Sequence, residues 1–153
     1  MVNCPQHRPG GRCQKAVSDM ELDRETIAAL VQHLEGCLQP QAIYLFGSAA
    51  HGGLRPDSDV DVAVLTATRL ADGERYELAA DLAGICRRDV DLIDLGSATT
   101  VVQAQVVTKG RLIAEEVPLA RALFAMRALK AYAMLSEERL PITERMVREG
   151  TLF

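Results

Sequence analysis

The sequence predicts an α/β domain of the α+β kind, in which a small mixed β-sheet carries helices on one side. Apolar periodicity runs along the chain in the order helix, strand, strand, helix, strand, helix and C-terminal helix. The first two strands follow one another too closely for a crossover helix, which argues against a doubly wound parallel sheet. With 153 residues and 48% hydrophobic content, the chain can bury one core.

The first helix is predicted to begin at Asp23, which is a favourable N-cap residue, and to stop before Pro40. Apolar residues recur between them at helical spacing. They are Ile27, Leu30, Val31, Leu34 and Leu38. Two strands are predicted next, at 42–46 and 59–65, because both segments are short, apolar and bounded by turn residues.

The remaining elements follow from the same signals. Asp72 is predicted to cap a second helix, and Ser97 a third helix that ends at Lys109. Further strands are predicted at 88–95 and 111–116, and the longest helix is predicted from Pro118 to about Leu135.

Residues 1–20 mix Pro, Gly, Gln and Arg without periodicity, which predicts a flexible tail before a single domain over 21–153. Cys4, His7 and Cys13 lie in this tail, but their spacing matches no closed zinc site. All four cysteines are expected to be free thiols. The chain shows no secretory-signal core and no run long enough to cross a bilayer, so we expect a soluble cytoplasmic protein.

The net charge of −4 excludes general nucleic-acid binding, which needs a basic surface. It does not exclude a small basic pocket. The chemistry must therefore be sought in local motifs rather than in the overall composition.

The most informative stretch is GSAAHGGLRPDSDVDVAV, residues 47–64. If 59–65 is a strand, Asp59, Asp61 and Ala63 share one face, and the intervening valines face the core. Aspartate is disfavoured in strands, and two like charges on one face repel each other. A solvated face would make them harmless, whereas a divalent cation such as Mg²⁺ or Mn²⁺ would explain both.

Gly47 and Ser48 end the preceding strand and open a short helical stretch. Backbone N–H groups at such a start bind phosphate oxygens, and the serine hydroxyl adds a donor. Most Gly-Ser pairs are simple turns, so this feature gains weight only beside the acidic strand.

The segment RDVDLIDL can bring a third carboxylate to the pair if its strand lies beside 59–65. Asp91 is the candidate, since it lies in the middle of the strand. Asp89 is more simply explained by a surface ion pair with Arg87 or Arg88, and Asp94 by the strand end.

Gly-Ser, ten intervening residues and Asp-x-Asp together resemble the signature of the DNA polymerase β-like nucleotidyltransferase superfamily. The stretch is most similar to the minimal nucleotidyltransferases (MNT), the MntA-like antitoxins of HEPN/MNT toxin–antitoxin pairs. The resemblance covers about residues 23–135 and implies the nucleotidyltransferase fold.

The resemblance also implies a function. A Mg²⁺-dependent enzyme would transfer AMP from ATP to a hydroxyl, in this branch a tyrosine of a cognate HEPN ribonuclease toxin. The implied ligands of two metal ions are Asp59, Asp61 and Asp91. The same three residues are the implied catalytic groups. The implied nucleotide-binding residues are Gly47, Ser48, Arg55 and Ser58. The family often carries basic residues where this chain has Ala49 and His51. Their absence is expected to weaken the binding of a triphosphate.

Two alternatives remain at this point. One is a drug-modifying nucleotidyltransferase of the aminoglycoside type, although this chain has little room for the extra substrate domain of those enzymes. The other is a non-catalytic antitoxin that acts through surface contact. The helix from Pro118 carries more apolar surface than one core requires. This surface predicts a partner-binding site, whether the antitoxin is catalytic or non-catalytic.

Overall fold

The computed structural model describes residues 21–55 and 57–148, so the predicted tail at 1–20 lies outside the described residues. Four strands and four α-helices follow one another along the chain. They are α1 (Arg24–Leu38), β1 (Ala42–Phe46), β2 (Val60–Leu65), α2 (Asp72–Cys86), β3 (Val90–Asp94), α3 (Thr100–Lys109), β4 (Arg111–Glu115) and α4 (Pro118–Arg148). A 3-10 turn, Gly47–Ala50, follows β1 directly.

The four strands form one mixed sheet in the order β3-β2-β1-β4. β1 pairs antiparallel with β2 and with β4, while β2 and β3 are parallel. Helix α2 makes the connection that a parallel pair needs. The fold class predicted from the sequence, a small mixed sheet with helices, is therefore confirmed.

The sheet buries both of its faces, each against different helices. On one face the β2 valines pack with α1 and α2, and Leu30, Leu34 and Leu82 are fully buried there. On the other face Tyr44, Ala63 and Leu65 pack with residues of α3 and with Phe124 of α4.

The placement of α3 differs from the expected arrangement with all helices on one side. The chain leaves the sheet at the edge strand β3 and must return at the opposite edge, β4. Since α1 and α2 already cover one face, α3 crosses the other. A helix that crosses between the two edges in this way also brings its C-terminal end back toward β1.

The helix ends show which capping predictions were right. Asp23 caps α1 as predicted, since its carboxylate accepts a hydrogen bond from Thr26 N at 2.9 Å. The prediction for Asp72 was wrong, because Ala71 is the N-cap residue and Glu74 accepts the Ala71 N–H at 3.3 Å.

The third and fourth helices also differ from the prediction at one end each. Thr99 caps α3, with its hydroxyl 3.3 Å from Val102 N. Ser97 does not cap it, because its hydroxyl donates to the Asp94 carboxylate instead. Helix α4 continues to Arg148, well beyond Leu135. The prediction ended the helix where the apolar repeat fades. The helix continues past this point because helix formation does not need an apolar repeat, and Glu137 and Glu138 are good helix formers.

Two remaining expectations concern the cysteines and the membrane. Cys37 is exposed and Cys86 is buried, and both are free thiols as expected, whereas Cys4 and Cys13 lie outside the described residues. Among the helices that the structure describes, none is long and apolar enough to cross a membrane.

Candidate active site

Asp61 lies at the centre of the candidate site. On one side it is paired with Phe46 at the end of β1, and on the other with Asp91 of β3. Neighbouring strands lie about 4.8 Å apart, so the side chains of Asp61 and Asp91 stand next to each other on one face. The structure therefore places Asp91 where the sequence argument expected a third carboxylate.

Asp59 lies just before β2, two residues from Asp61, so the two Cα atoms are roughly 6–7 Å apart. Burial raises the pKa of Asp61, and the nearby charges of Asp91 and Asp59 raise it further. Burial is the larger cause, and the two neighbouring carboxylates add to it. Asp59 and Asp91 are both exposed, so the cluster opens to solvent.

Gly47 lies directly against the Asp61 carboxylate. Its φ of +63° is in the left-handed region, and a Cβ at this position would stand 2.5 Å from Asp61 Oδ2. Only glycine allows the β1 turn and the carboxylate to come this close. The 3-10 turn that Gly47 begins includes Ser48, whose carbonyl accepts the N–H of Gly53 at 3.1 Å.

Arg55 and Ser58 belong to the loop that leads into β2. The Ser58 hydroxyl lies 3.1 Å from Arg55 N, and Ser58 N lies 3.0 Å from Arg55 O. Arg88 donates from its guanidinium to the carbonyls of both residues, at 3.0 and 3.4 Å. Ser58 thus stabilises the loop itself, and its contact with a nucleotide stays a prediction, as does that of Arg55.

Arg88 is a positioning residue that the sequence argument missed. The backbone at Arg87 is left-handed, with φ at 55°, and this turn ends α2 and directs Arg88 toward the loop. The surface ion pair expected for Asp89 is not found among the described residues. The Asp89 carbonyl instead accepts the Val60 N–H at 2.9 Å and begins the pairing of β2 with β3.

Asp94 also lies on β3, but it is buried, whereas Asp91 is exposed. Asp94 is 4% exposed, and its carboxylate accepts hydrogen bonds from Leu70 N, Gly96 N and the Ser97 hydroxyl at 3.1, 3.1 and 2.8 Å. It therefore ties the segment before α2 to the end of β3. The strand end expected for Asp94 is confirmed.

A cavity of about 350 Å³ adjoins the acidic cluster. The end of β1, the 3-10 turn and the last turn of α3 surround it. Its lining residues are Phe46, Gly47, His51, Asp61, Gln105 and Lys109. Gln105 and Lys109 were missed from the sequence. The available signal was that Lys15, Lys109 and Lys130 are the only lysines in the chain, which makes Lys109 the only one between residues 16 and 129.

The acidic cluster fits a divalent cation by its chemistry. Its donors are carboxylate oxygens, which Mg²⁺ and Mn²⁺ prefer. The pKa of Asp61 is raised first by burial and then by repulsion from Asp91 and Asp59, and a bound cation would offset both effects. Within the described residues, no group of three or more His, Cys, Asp or Glu side chains is arranged so that it could hold a metal ion. The fit is therefore one of ligand chemistry and of the neighbouring positions of Asp61 and Asp91, and not of a formed metal site.

Comparisons with known proteins agree with this arrangement. The family model described as "Polymerase beta, Nucleotidyltransferase" matches residues 25–118. Protein adenylyltransferase MntA of Shewanella oneidensis is 43% identical over 104 residues, which cover 68% of this chain and 74% of that protein.

Solved structures match over most of the chain. A crystal structure of the toxin–antitoxin with AMP-PNP superposes with a TM-score of 0.71 at 38% identity, covering 82% of this chain and 99% of that chain. A second match is a complex of the tri-AMPylated Shewanella oneidensis HEPN toxin with MNT antitoxin. Its TM-score is 0.69 at 35% identity, covering 81% of this chain and 98% of that chain.

Proposed function

Because the chain belongs to the polymerase beta nucleotidyltransferase family, we propose that it is a cytoplasmic antitoxin that transfers AMP from ATP to a tyrosine hydroxyl of a HEPN-type ribonuclease toxin. The observation that carries the chemistry is the side-by-side placement of Asp61 and Asp91, with Gly47 against the Asp61 carboxylate. The related complexes with AMP-PNP and with an AMPylated HEPN toxin support the donor and the acceptor.

Asp59, Asp61 and Asp91 would hold Mg²⁺, and the oxygens of the triphosphate would complete its coordination. When bound, the metal supplies charge neutralisation at the entering and leaving oxygens. Gly47 and Ser48 are proposed to bind the phosphates, since the backbone at Gly47 is open to close approach. Arg55 and Ser58 form the adjoining loop.

In the reaction, the tyrosine oxygen attacks the α-phosphorus of ATP. A new P–O bond forms to the tyrosine, the bond from the α-phosphorus to the bridging oxygen breaks, and pyrophosphate leaves. Asp91 orients the hydroxyl and accepts its proton. Its exposed position on the edge strand β3 leaves room for an acceptor from another chain.

Helix α4 supplies the partner surface that we propose. One face of α4 packs against α3, where Phe124 joins the core cluster and Ala128 is buried, whereas Leu119 and Met126 are 70% and 67% exposed. Further exposed apolar residues of the helix are Leu123, Leu129, Tyr132 and Met134. Leu119, Leu123 and Met126 follow at helical spacing, so they form one apolar face for a helical partner.

The test is to co-purify the chain with its HEPN-type partner and to add ATP with and without Mg²⁺. Intact mass of the partner should rise by whole adenylyl groups only with both present. An Asp59→Asn/Asp61→Asn variant is the matched control for the chemistry. A partner that is silenced without any gain in mass would favour the non-catalytic antitoxin, and label transferred to an aminoglycoside would favour the drug-modifying alternative.

The partner surface needs a separate experiment. Truncation after Val117 would uncover the core face beneath Phe124, so substitution is the cleaner change. A Leu119→Glu/Met126→Glu variant should elute without the partner on size exclusion, while Ala28→Glu/Gln32→Glu should keep it. Ala28 and Gln32 are exposed on α1, which packs on the other face of the sheet from α4. A complex that survives both glutamates would place the interface elsewhere.

A further inference from the structure

The cavity beside the acidic cluster carries an assignment that goes beyond the proposed function, although it rests on it. The cavity holds about 350 Å³, which is within the roughly 300–1,000 Å³ of small-molecule sites. Its lining combines the acidic Asp61 of β2 with Lys109 and Gln105 of α3. A ligand in this cavity must therefore be compatible with a metal-binding carboxylate and with a cation.

We propose that Lys109 binds the β- and γ-phosphates of the nucleotide and the pyrophosphate that leaves. Among the residues that line this cavity, Lys109 is the one with a permanent positive charge. Lysine is a compact point charge with three donors, which suits phosphate oxygens. Gln105 lies one turn earlier on the same helix face and adds an amide donor.

The fold explains why the end of α3 reaches this place. Val106 is fully buried, so it fixes the last turn of α3 on the sheet. Gly110 N donates to Val106 O at 2.8 Å, and the next residue, Arg111, pairs with Leu45 in the sheet. Lys109 is therefore held two residues from the partner of Leu45, next to the point where β1 gives way to the Gly47 turn.

The turn after β1 cannot supply this charge. Ala49 and Ala50 are both buried, at 3% and 8% exposure, and Ala49 packs in the core with α1 and α2. His51 lines the cavity, but its ring offers fewer donors than the three of an ammonium group. Arg55 of the following loop is not among the lining residues, so the cation of this cavity comes from a residue that is distant from the Gly-Ser motif in sequence.

A purely structural role for Lys109 makes a different prediction. A lysine in the last turn of a helix stabilises the helix dipole, and its loss would lower stability with little effect on nucleotide selectivity. Phosphate binding instead predicts a loss that grows with the number of phosphates. The comparison of AMP with ATP therefore separates the two roles.

The experiment is calorimetry of the full chain with AMP, ATP and pyrophosphate, in Mg²⁺ and again in EDTA, without any acceptor. Lys109→Ala should weaken ATP and pyrophosphate binding about ten- to hundredfold and change AMP binding less than about threefold. Lys109→Arg should recover much of the loss. Lys130→Ala, an exposed lysine on α4, is the control and should bind as the wild type does.

Equal losses for AMP and ATP, or none, in a Lys109→Ala protein that melts normally would overturn the assignment alone. Failure of the wild-type chain to bind ATP would overturn the proposed function, and this assignment with it. If Lys109→Ala selectively loses ATP binding but the wild-type chain modifies no partner, the assignment of Lys109 holds and only the proposed acceptor is wrong.

Discussion

Replacement of Asp94 by alanine tests whether the buried acid of β3 has a structural role, in contrast to Asp91, the catalytic residue that we propose. The carboxylate accepts three hydrogen bonds, from Leu70 N, Gly96 N and the Ser97 hydroxyl, and is 4% exposed. Each such bond to a charged group contributes about 1.5–3 kcal/mol. The donors of Gly96 and Ser97 can turn to water, since both residues are exposed. We therefore expect a loss of about 2–4 kcal/mol in the free energy of unfolding.

Urea and thermal unfolding followed by circular dichroism measure this loss. For a chain of this size it corresponds to a fall in Tm of roughly 5–15 °C. Asp91→Ala is the matched control, because it removes an exposed carboxylate from the same strand and should change the free energy of unfolding by less than about 0.5 kcal/mol. Equal unfolding curves for the two variants would refute the assignment of a structural role to Asp94.

Three further predictions concern the acidic cluster and its turn. Asp61→Asn should raise the Tm of the metal-free chain at neutral pH and remove its stabilisation by Mg²⁺. Because the folded-state pKa is raised, ionisation of Asp61 lowers stability as the pH rises from the usual pKa of aspartate through the folded-state pKa, and the loss stays constant above it. An unchanged or lower Tm in EDTA would contradict this. Asp91→Asn should cost about 10²–10⁴-fold in transfer rate and Asp89→Asn far less, and equal losses would show that the site uses the other acid. Gly47→Val should abolish ATP binding in calorimetry, since its side chain would meet the Asp61 carboxylate; unchanged affinity in a folded variant would place the phosphates elsewhere.

The placement of the acids on β2 and β3 could be predicted from the sequence because a strand alternates its side chains with a period of two. Val60, Val62 and Val64 are fully buried, which leaves Asp61 on the other face. The parallel pairing then sets Asp91 beside Asp61. Alternation was present in the local pattern, whereas the pairing of the two strands was a condition of the prediction that the structure supplies.

Three other features depend on tertiary structure that no local pattern contains. The strand pattern separates Asp91 from Asp94, but the burial of Asp94 and its hydrogen bond from the distant Leu70 N are visible only in the folded chain. Ser97 and Thr99 are both favourable N-cap residues. Thr99 caps α3 because the Ser97 hydroxyl donates to the Asp94 carboxylate instead. The face that α3 covers depends on where β4 pairs, which is a contact between distant parts of the chain.

The same crossing of the sheet explains how this site can work without basic residues in its Gly-Ser turn. A nucleotide triphosphate is strongly anionic, and Asp59, Asp61 and Asp91 add three more carboxylates, so positive charge must come from bound metal and from nearby side chains. A basic side chain at position 49 would have to leave the buried position that an alanine occupies here, and position 51 holds a histidine. The last turn of helix α3 brings Lys109 into the lining of the cavity. The metal would then balance the acidic end and Lys109 the phosphate end, so loss of either should weaken ATP binding while the sheet that positions them stays intact.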